Sequence, residues 1–348
     1  ALLLAGFCSQ LSAEDWPRWR GPNRNGISGE TELRLDWPAD GPPIPWKANV
    51  GTGFSSVVIS AGRAFTIGNQ DNTDTVYCLD VETGQPQWKH SYEAALNDKF
   101  FEGGPTATPT IDDDAVFTLS QAGDLFCFDV ASGKVRWSKN IAVEAKVRVP
   151  GWGFGGSPVV HGDTLLLAVG ETGTAVDKRT GEILWSSADK DAGYATPLLF
   201  QREDKWFALF ASGTYYHAVN VANGEEQWRY RWLTRFGCNA ADPILSGSTL
   251  FISSGYNRGS ALLQLTDVDP EEVWKTKEYQ NQFSSSVLID EHLYGIDGDT
   301  TGERRLKCVE IATGNIQWSE EGIGSGALIA AGSTLIILSE TGELVLAT

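Results

Sequence analysis

The sequence predicts an all-β chain, a β-propeller of four-stranded blades, and three observations carry that prediction. The first is an internal repeat ending in tryptophan. It reads CLDVETGQPQW at Cys78–Trp88, CFDVASGKVRW at Cys127–Trp137 and AVDKRTGEILW at Ala175–Trp185. It continues as AVNVANGEEQW at Ala218–Trp228 and CVEIATGNIQW at Cys308–Trp318, with a degenerate copy, QLTDVDPEEVW at Gln264–Trp274, that carries Pro270 where the others have glycine. Successive tryptophans stand 43 to 49 residues apart, the period of one blade. The second observation is how a period divides. TPTI, AVFTLS, DLFCFDV and VRWSKN are separated by turns at Asp112–Asp114, Gln121–Gly123 and Ala131–Gly133, so four short apolar strands alternate with residues that suit tight turns. The third is that no segment carries a 3.6-residue apolar period, so little helix is expected.

Taken in order, the opening ALLLAGFCSQLSA reads as the remnant of a signal peptide over residues 1–13, with Leu11-Ser12-Ala13 as a small-residue cleavage site. Phe7 before Cys8 speaks against lipidation. Residues 14–45 form an N-terminal entry segment, and residues 46–348 a single propeller domain, incomplete at its C-terminus. Trp46 lies 42 residues before Trp88 and predicts an outer strand ahead of blade one. Six complete copies follow, and GALIAAGSTLIILSETGELVLAT at 326–348 supplies the first strands of a partial seventh blade. No stretch reaches the roughly 18 consecutive apolar residues of a membrane span. The chain is expected to be exported, to the periplasm or the extracellular space.

Composition narrows the function. The formal net charge is −18, with 41% hydrophobic residues, which speaks against a nucleic acid or an anionic membrane surface as partner. Of the five cysteines, Cys78, Cys127 and Cys308 share one repeat position and are expected to be small buried residues; CxxC, CxxCH and adjacent Cys-Cys motifs are all missing. The four histidines show no HxH or HExxH spacing. In a propeller, the interblade loops and the second-to-third-strand hairpins share one face. That face collects the ligand-binding candidates Arg148, Trp152, Arg235, Asn239 and Arg258, residue types typical of binding sites beside a concave mouth. Asp297, Asp299 and Glu303 in the DGDTTGE run are candidate metal ligands, although Asp-Gly is also a common turn dipeptide.

The D-x-x-T-G-x-x-x-W copies resemble those of the pyrroloquinoline-quinone (PQQ) repeat propellers, a quinoprotein-like and BamB-like family, over roughly residues 46–348. The opening DWPRWRGPNRNGIS at Asp15–Ser28 is similar to the entry segment of exported PQQ-like propellers of planctomycete-type bacteria. The resemblance implies that Trp46, Trp88, Trp137, Trp185, Trp228, Trp274 and Trp318 dock neighbouring blades. It also implies eight blades in the complete ring, the end of blade seven and most of blade eight then lying outside this chain. The other closure lets the Trp46 strand complete blade seven. Two functions follow as expectations. One is a monomeric, non-catalytic binding scaffold that engages a protein or extracellular polymer through the loop-rich face. The alternative is a PQQ- and calcium-dependent dehydrogenase of alcohols or sugars, with Trp152 stacking on the quinone and Arg148 or Arg235 pairing its carboxylates.

Overall fold

The computed structural model describes residues 14–348 except 32, 39–40, 99–100, 188–189, 191 and 301, and the signal-peptide remnant expected at 1–13 lies outside the described residues. Among the described residues the chain forms seven four-stranded sheets. Blades one to six are up-and-down meanders; blade one, for example, runs Val58–Ser60, Arg63–Gln70, Thr73–Asp80 and Pro86–Glu93. The two middle strands of each are apolar and mostly buried, because a blade is covered by a neighbour on both faces, and the fourth strand alternates toward solvent. The one described α-helix is the short Ile141–Ala145, capped by Asn140.

The repeat now has a physical meaning. In each complete blade a register shift interrupts the pairing of strands three and four at the same place, just after the residue opposite tryptophan. That opposite residue is Cys78, Cys127, Ala175, Ala218 or Cys308, a small side chain beneath a large ring. The indole then crosses to the next blade. Trp46 Nε1 donates to the Val81 carbonyl at 2.8 Å, Trp88 to Val130 at 3.0 Å, Trp137 to Lys178 at 3.1 Å, Trp185 to Val221 at 2.9 Å and Trp274 to Ile311 at 2.8 Å. Gly84, Gly133, Gly181, Gly224 and Gly314 lie under those rings at φ of +69° to +74°, where a Cβ would fall 2.4–2.9 Å from the indole. The turn needs glycine for its backbone angle and for the flat surface it offers.

Blade five departs from this. Leu262, not Gln264, stands opposite Trp274, and Leu263 pairs with Glu272 where Val309 of blade six pairs with Ile316. Its third hairpin is therefore two residues longer than the degenerate copy suggests.

The seventh sheet corrects one expected closure. Its fourth strand is Ile27–Ser28, parallel to Gly326–Ala331 on the inner edge, and not the Trp46 strand. Trp46 pairs with no strand of that sheet; its indole docks on blade one through the Val81 carbonyl, and Thr52 bridges Asn69 of blade one.

Residues 15–28 lie inside the ring and lace its innermost strands together. The Asp15 carboxylate accepts from Ser60 Oγ and the Ala61 amide, and Trp16 exchanges backbone bonds with Ile59. The Pro17 carbonyl accepts from Ile111 N in blade two, and Arg24 donates to Val160 O in blade three. Deeper in, Trp19 donates to Asp242 ahead of blade five, and Arg20 to the Ser286 carbonyl beside blade six at 2.6 Å. Burial pushes the Asp242 carboxyl up and the Arg20 guanidinium down, and their mutual attraction opposes both shifts.

Candidate functional site

The loop face gathers aromatic side chains from successive blades. Trp152, in the loop between blades two and three, meets Tyr194 of the next loop edge-on at 5.8 Å and Phe236 of the loop after that at 6.5 Å. Phe236 meets Tyr256, from a hairpin of blade five, at 5.0 Å, and the Arg235 guanidinium lies 5.1 Å over the Phe236 ring. Phe236 is 50% exposed at the centre of this platform. Arg148 is exposed on the same loop as Trp152.

The five expected ligand-binding residues therefore fall into two groups. Trp152 and Arg235 belong to the platform, and Arg148 stands on the loop that carries it. Asn239 is fully buried: its Nδ2 donates to Ser212 O at 2.7 Å and Trp232 O at 3.1 Å, and its Oδ1 accepts from Ser254 Oγ at 2.8 Å. Every polar atom of that side chain is spent on holding loops in place. Arg258 stacks at 3.7 Å over Trp232, itself fully buried, and burial holds its pKa below the usual guanidinium range. Both residues support the platform from below. Tyr194, Phe236 and Tyr256 complete it and are not among the sequence candidates, although Phe236 lies directly beside Arg235.

The acidic candidates do not converge. Asp297 accepts from the Gln280 amide at 2.6 Å and pairs with Lys307 at 2.8 Å; Asp299 accepts from the Tyr256 amide at 2.7 Å; Glu303 pairs with Arg305 at 2.7 Å. Backbone amides that the loops leave unpaired have claimed two of the three carboxylates. Among the described residues no three His, Cys, Asp or Glu side chains group as a metal site.

Two further polar assemblies sit at this face. A cleft of about 260 Å3 runs between blades one and two, lined in part by Asp74, Asn97, Gln121 and Val149. Asp74 is held there by Asn69 Nδ2 at 2.7 Å and Tyr92, and burial raises its pKa. In blade four, His217 Nδ1 meets Glu226 at 2.6 Å while its Nε2 meets Ser212 Oγ at 3.2 Å. The order Ser–His–Glu looks like a nucleophilic relay, but Ser212 Oγ already accepts from the Thr214 and Tyr215 amides and donates to the Tyr215 carbonyl. It is a turn cap, 1% exposed.

Comparison with known proteins agrees with this geometry. The family described as outer membrane protein assembly factor BamB matches residues 72–320, most of the chain. The chain belongs to this PQQ-repeat family. Among solved structures it is similar to BamB from Moraxella catarrhalis, with a TM-score of 0.59 and 16% identity over 84% of this chain and 80% of that one. It is also similar to a europium-containing methanol dehydrogenase, with a TM-score of 0.67 and 12% identity over 97% and 86%. The quinohemoprotein alcohol dehydrogenase from Comamonas testosteroni gives 0.63 and 12% over 93% and 70%. No curated protein sequence matches. Identities this low speak for the propeller fold alone.

A quinone–calcium centre fits the BamB-like chain poorly. The cation would need the carboxylates of Asp297, Asp299 and Glu303, each of which has an intrachain partner. The Trp152 ring is crowded edge-on by Tyr194 and Phe236.

Proposed function

We propose that this chain is an exported, non-catalytic binding propeller that receives a protein partner on its loop face. The observation that carries the reading is the Trp152–Phe236–Tyr256–Arg235 cluster, assembled from two interblade loops and a hairpin of blade five. Phe54 and Phe283, on two other interblade loops, are 55% and 60% exposed. Exposed aromatic and arginine side chains around a concave centre are the residues that dominate protein interfaces, and BamB is by description an assembly factor. The charge of −18 favours a partner with a basic contact surface, and the propeller acts as a monomer.

A photoreactive residue at Phe236, in the full-length protein expressed in its own cells, should give a discrete protein adduct that unlabelled protein competes away and that Trp152→Ala diminishes. The same probe at Leu184, exposed on an outer strand, should give none. Equal labelling from both positions would remove the proposal. The alternative reading, a PQQ- and calcium-dependent dehydrogenase of alcohols or sugars, draws on Arg148, Trp152 and Arg235 sharing the face. Saturable, calcium-dependent binding in a PQQ titration of the intact protein would put it first.

A further inference from the structure

At the opposite mouth of the ring, the lace leaves guanidinium groups without counterions. Pro17 is fixed to blade two through Ile111 N at 2.8 Å, and Arg24 to blade three through Val160 O at 3.2 Å. Arg18 lies between these anchors. Its Nε is buried without a hydrogen-bond partner, and its side chain makes no hydrogen bond or ion pair among the described residues. Arg24 spends a single N–H on one carbonyl. Its pKa is pushed down to about 10, first by burial and then by the positive charge of Arg18, with only Asp112 opposing. Asp112 is itself claimed by Lys178 Nζ at 2.6 Å. His161 stands at the same end, and Arg24 is one of the charges that disfavour its protonated form.

A strongly acidic chain thus carries two half-buried arginines on consecutive turns, closed by Gly21 N to Arg18 O at 2.9 Å and Arg24 N to Gly21 O at 3.1 Å, and gives the Asp112 carboxylate to a lysine. A buried donor left unpaired costs about 1–3 kcal/mol, and like charges add to that cost; a bound anion removes both penalties. We infer that Arg18 and Arg24 form an anion-binding site at the first-hairpin mouth of the central channel, and that it takes a small tetrahedral oxyanion of the phosphate class. Each guanidinium presents a planar fork of N–H donors, so bridging two forks calls for more than the two oxygens of a carboxylate. The net charge of −18 repels a nucleic-acid strand, so the phosphate-class ligand is a free ion. The aromatic platform lies on the other face, so this site stands or falls independently of the proposed function.

The test is calorimetric titration of the full chain with inorganic phosphate at constant ionic strength, with chloride as the reference anion. Saturable binding is expected, accompanied by a rise in Tm. Arg18→Gln and Arg24→Gln should each weaken it by about tenfold or more. Arg136→Gln, whose guanidinium is already held by Asp114 and Asp129 on the surface, should leave it unchanged. Should Arg18→Gln fail to fold, Arg18→Lys keeps the charge, loses the fork and is expected to bind more weakly than the parent. The inference is overturned if phosphate does no more than chloride, if Arg136→Gln weakens binding as much, or if the arginine variants bind as the parent does.

Discussion

Two neighbouring junctions of the ring are built differently. Between blades three and four, the Trp185 indole lies on Gly224 and donates to the Val221 carbonyl. Between blades four and five, Trp228 holds the same repeat position and is more deeply buried than Trp185, yet makes no such bond among the described residues. The hairpin it faces has no glycine between Leu262 and Trp274 and is two residues longer. There Arg202 reaches across instead, to the Thr266 carbonyl and the Asp267 carboxylate. A cleft of about 200 Å3 opens beside it, lined in part by Phe200, Lys205, Phe207 and Trp228. An indole lock demands a surface without a side chain. Once the hairpin lengthens, a half-exposed ion pair takes over the crossing, and such pairs are weaker and screened by salt.

The sharpest way to break the comparison is at the glycine. Gly224→Ala places a Cβ 2.6 Å from the Trp185 ring at a φ of +73° and should cost about 2–3 kcal/mol. Pro270→Ala in the lengthened hairpin should cost under about 1 kcal/mol. Urea unfolding of both variants measures the difference, and equal losses would mean that the two junctions are alike. A smaller effect is expected at the clamp. Asp267 is 94% exposed, so Arg202→Ala should lose only about 0.5–1 kcal/mol. That loss should shrink in high salt, whereas the loss from Gly224→Ala should not. Hydrogen exchange should also quicken in residues 265–270 and not in the corresponding hairpin of blade four.

These two junctions also mark where sequence reading succeeds. The repeat marked where the tryptophans and hairpin glycines fall, and Cys78, Cys127 and Cys308 as small buried residues, because each recurs in a fixed local geometry. Of the seven tryptophans expected at blade contacts from the resemblance, Trp46, Trp88, Trp137, Trp185 and Trp274 make the indole bond. The register of blade five did not show, since one degenerate copy gives no second measure of its loop length. Nor did the lace: residues 15–28 have no periodicity, and their partners, from Ile59 to Ala330, are distant in sequence. In the loop face, sequence alone marked Asn239 and Arg258 as readily as Trp152. Which loop side chain points outward and which one props up its neighbours is decided by tertiary packing, here by the buried Trp232 and Ser254.

The smallest effect is on pH, and it separates blade four from its two junctions. Burial lowers the pKa of His217 below its ordinary 6.5, and the attraction of Glu226 opposes this only in part. Below pH 6.5 an unfolded His217 takes up a proton that the folded one resists, so this contribution to stability is complete above that pH and declines as acid is added through the window down to the folded pKa. His90 and His161 shift the same way, while Asp74 and Asp242, raised by burial, act with the opposite sign nearer the carboxylate range. The informative quantity is therefore the difference between the parent and His217→Gln. The variant should lose less stability than the parent between pH 7 and pH 5.5, and the gap between Gly224→Ala and Pro270→Ala should stay the same at both pH values. If acid closed that gap, protonation within blade four would be loosening the Trp185 lock, and the two junctions would differ by charge as well as by shape.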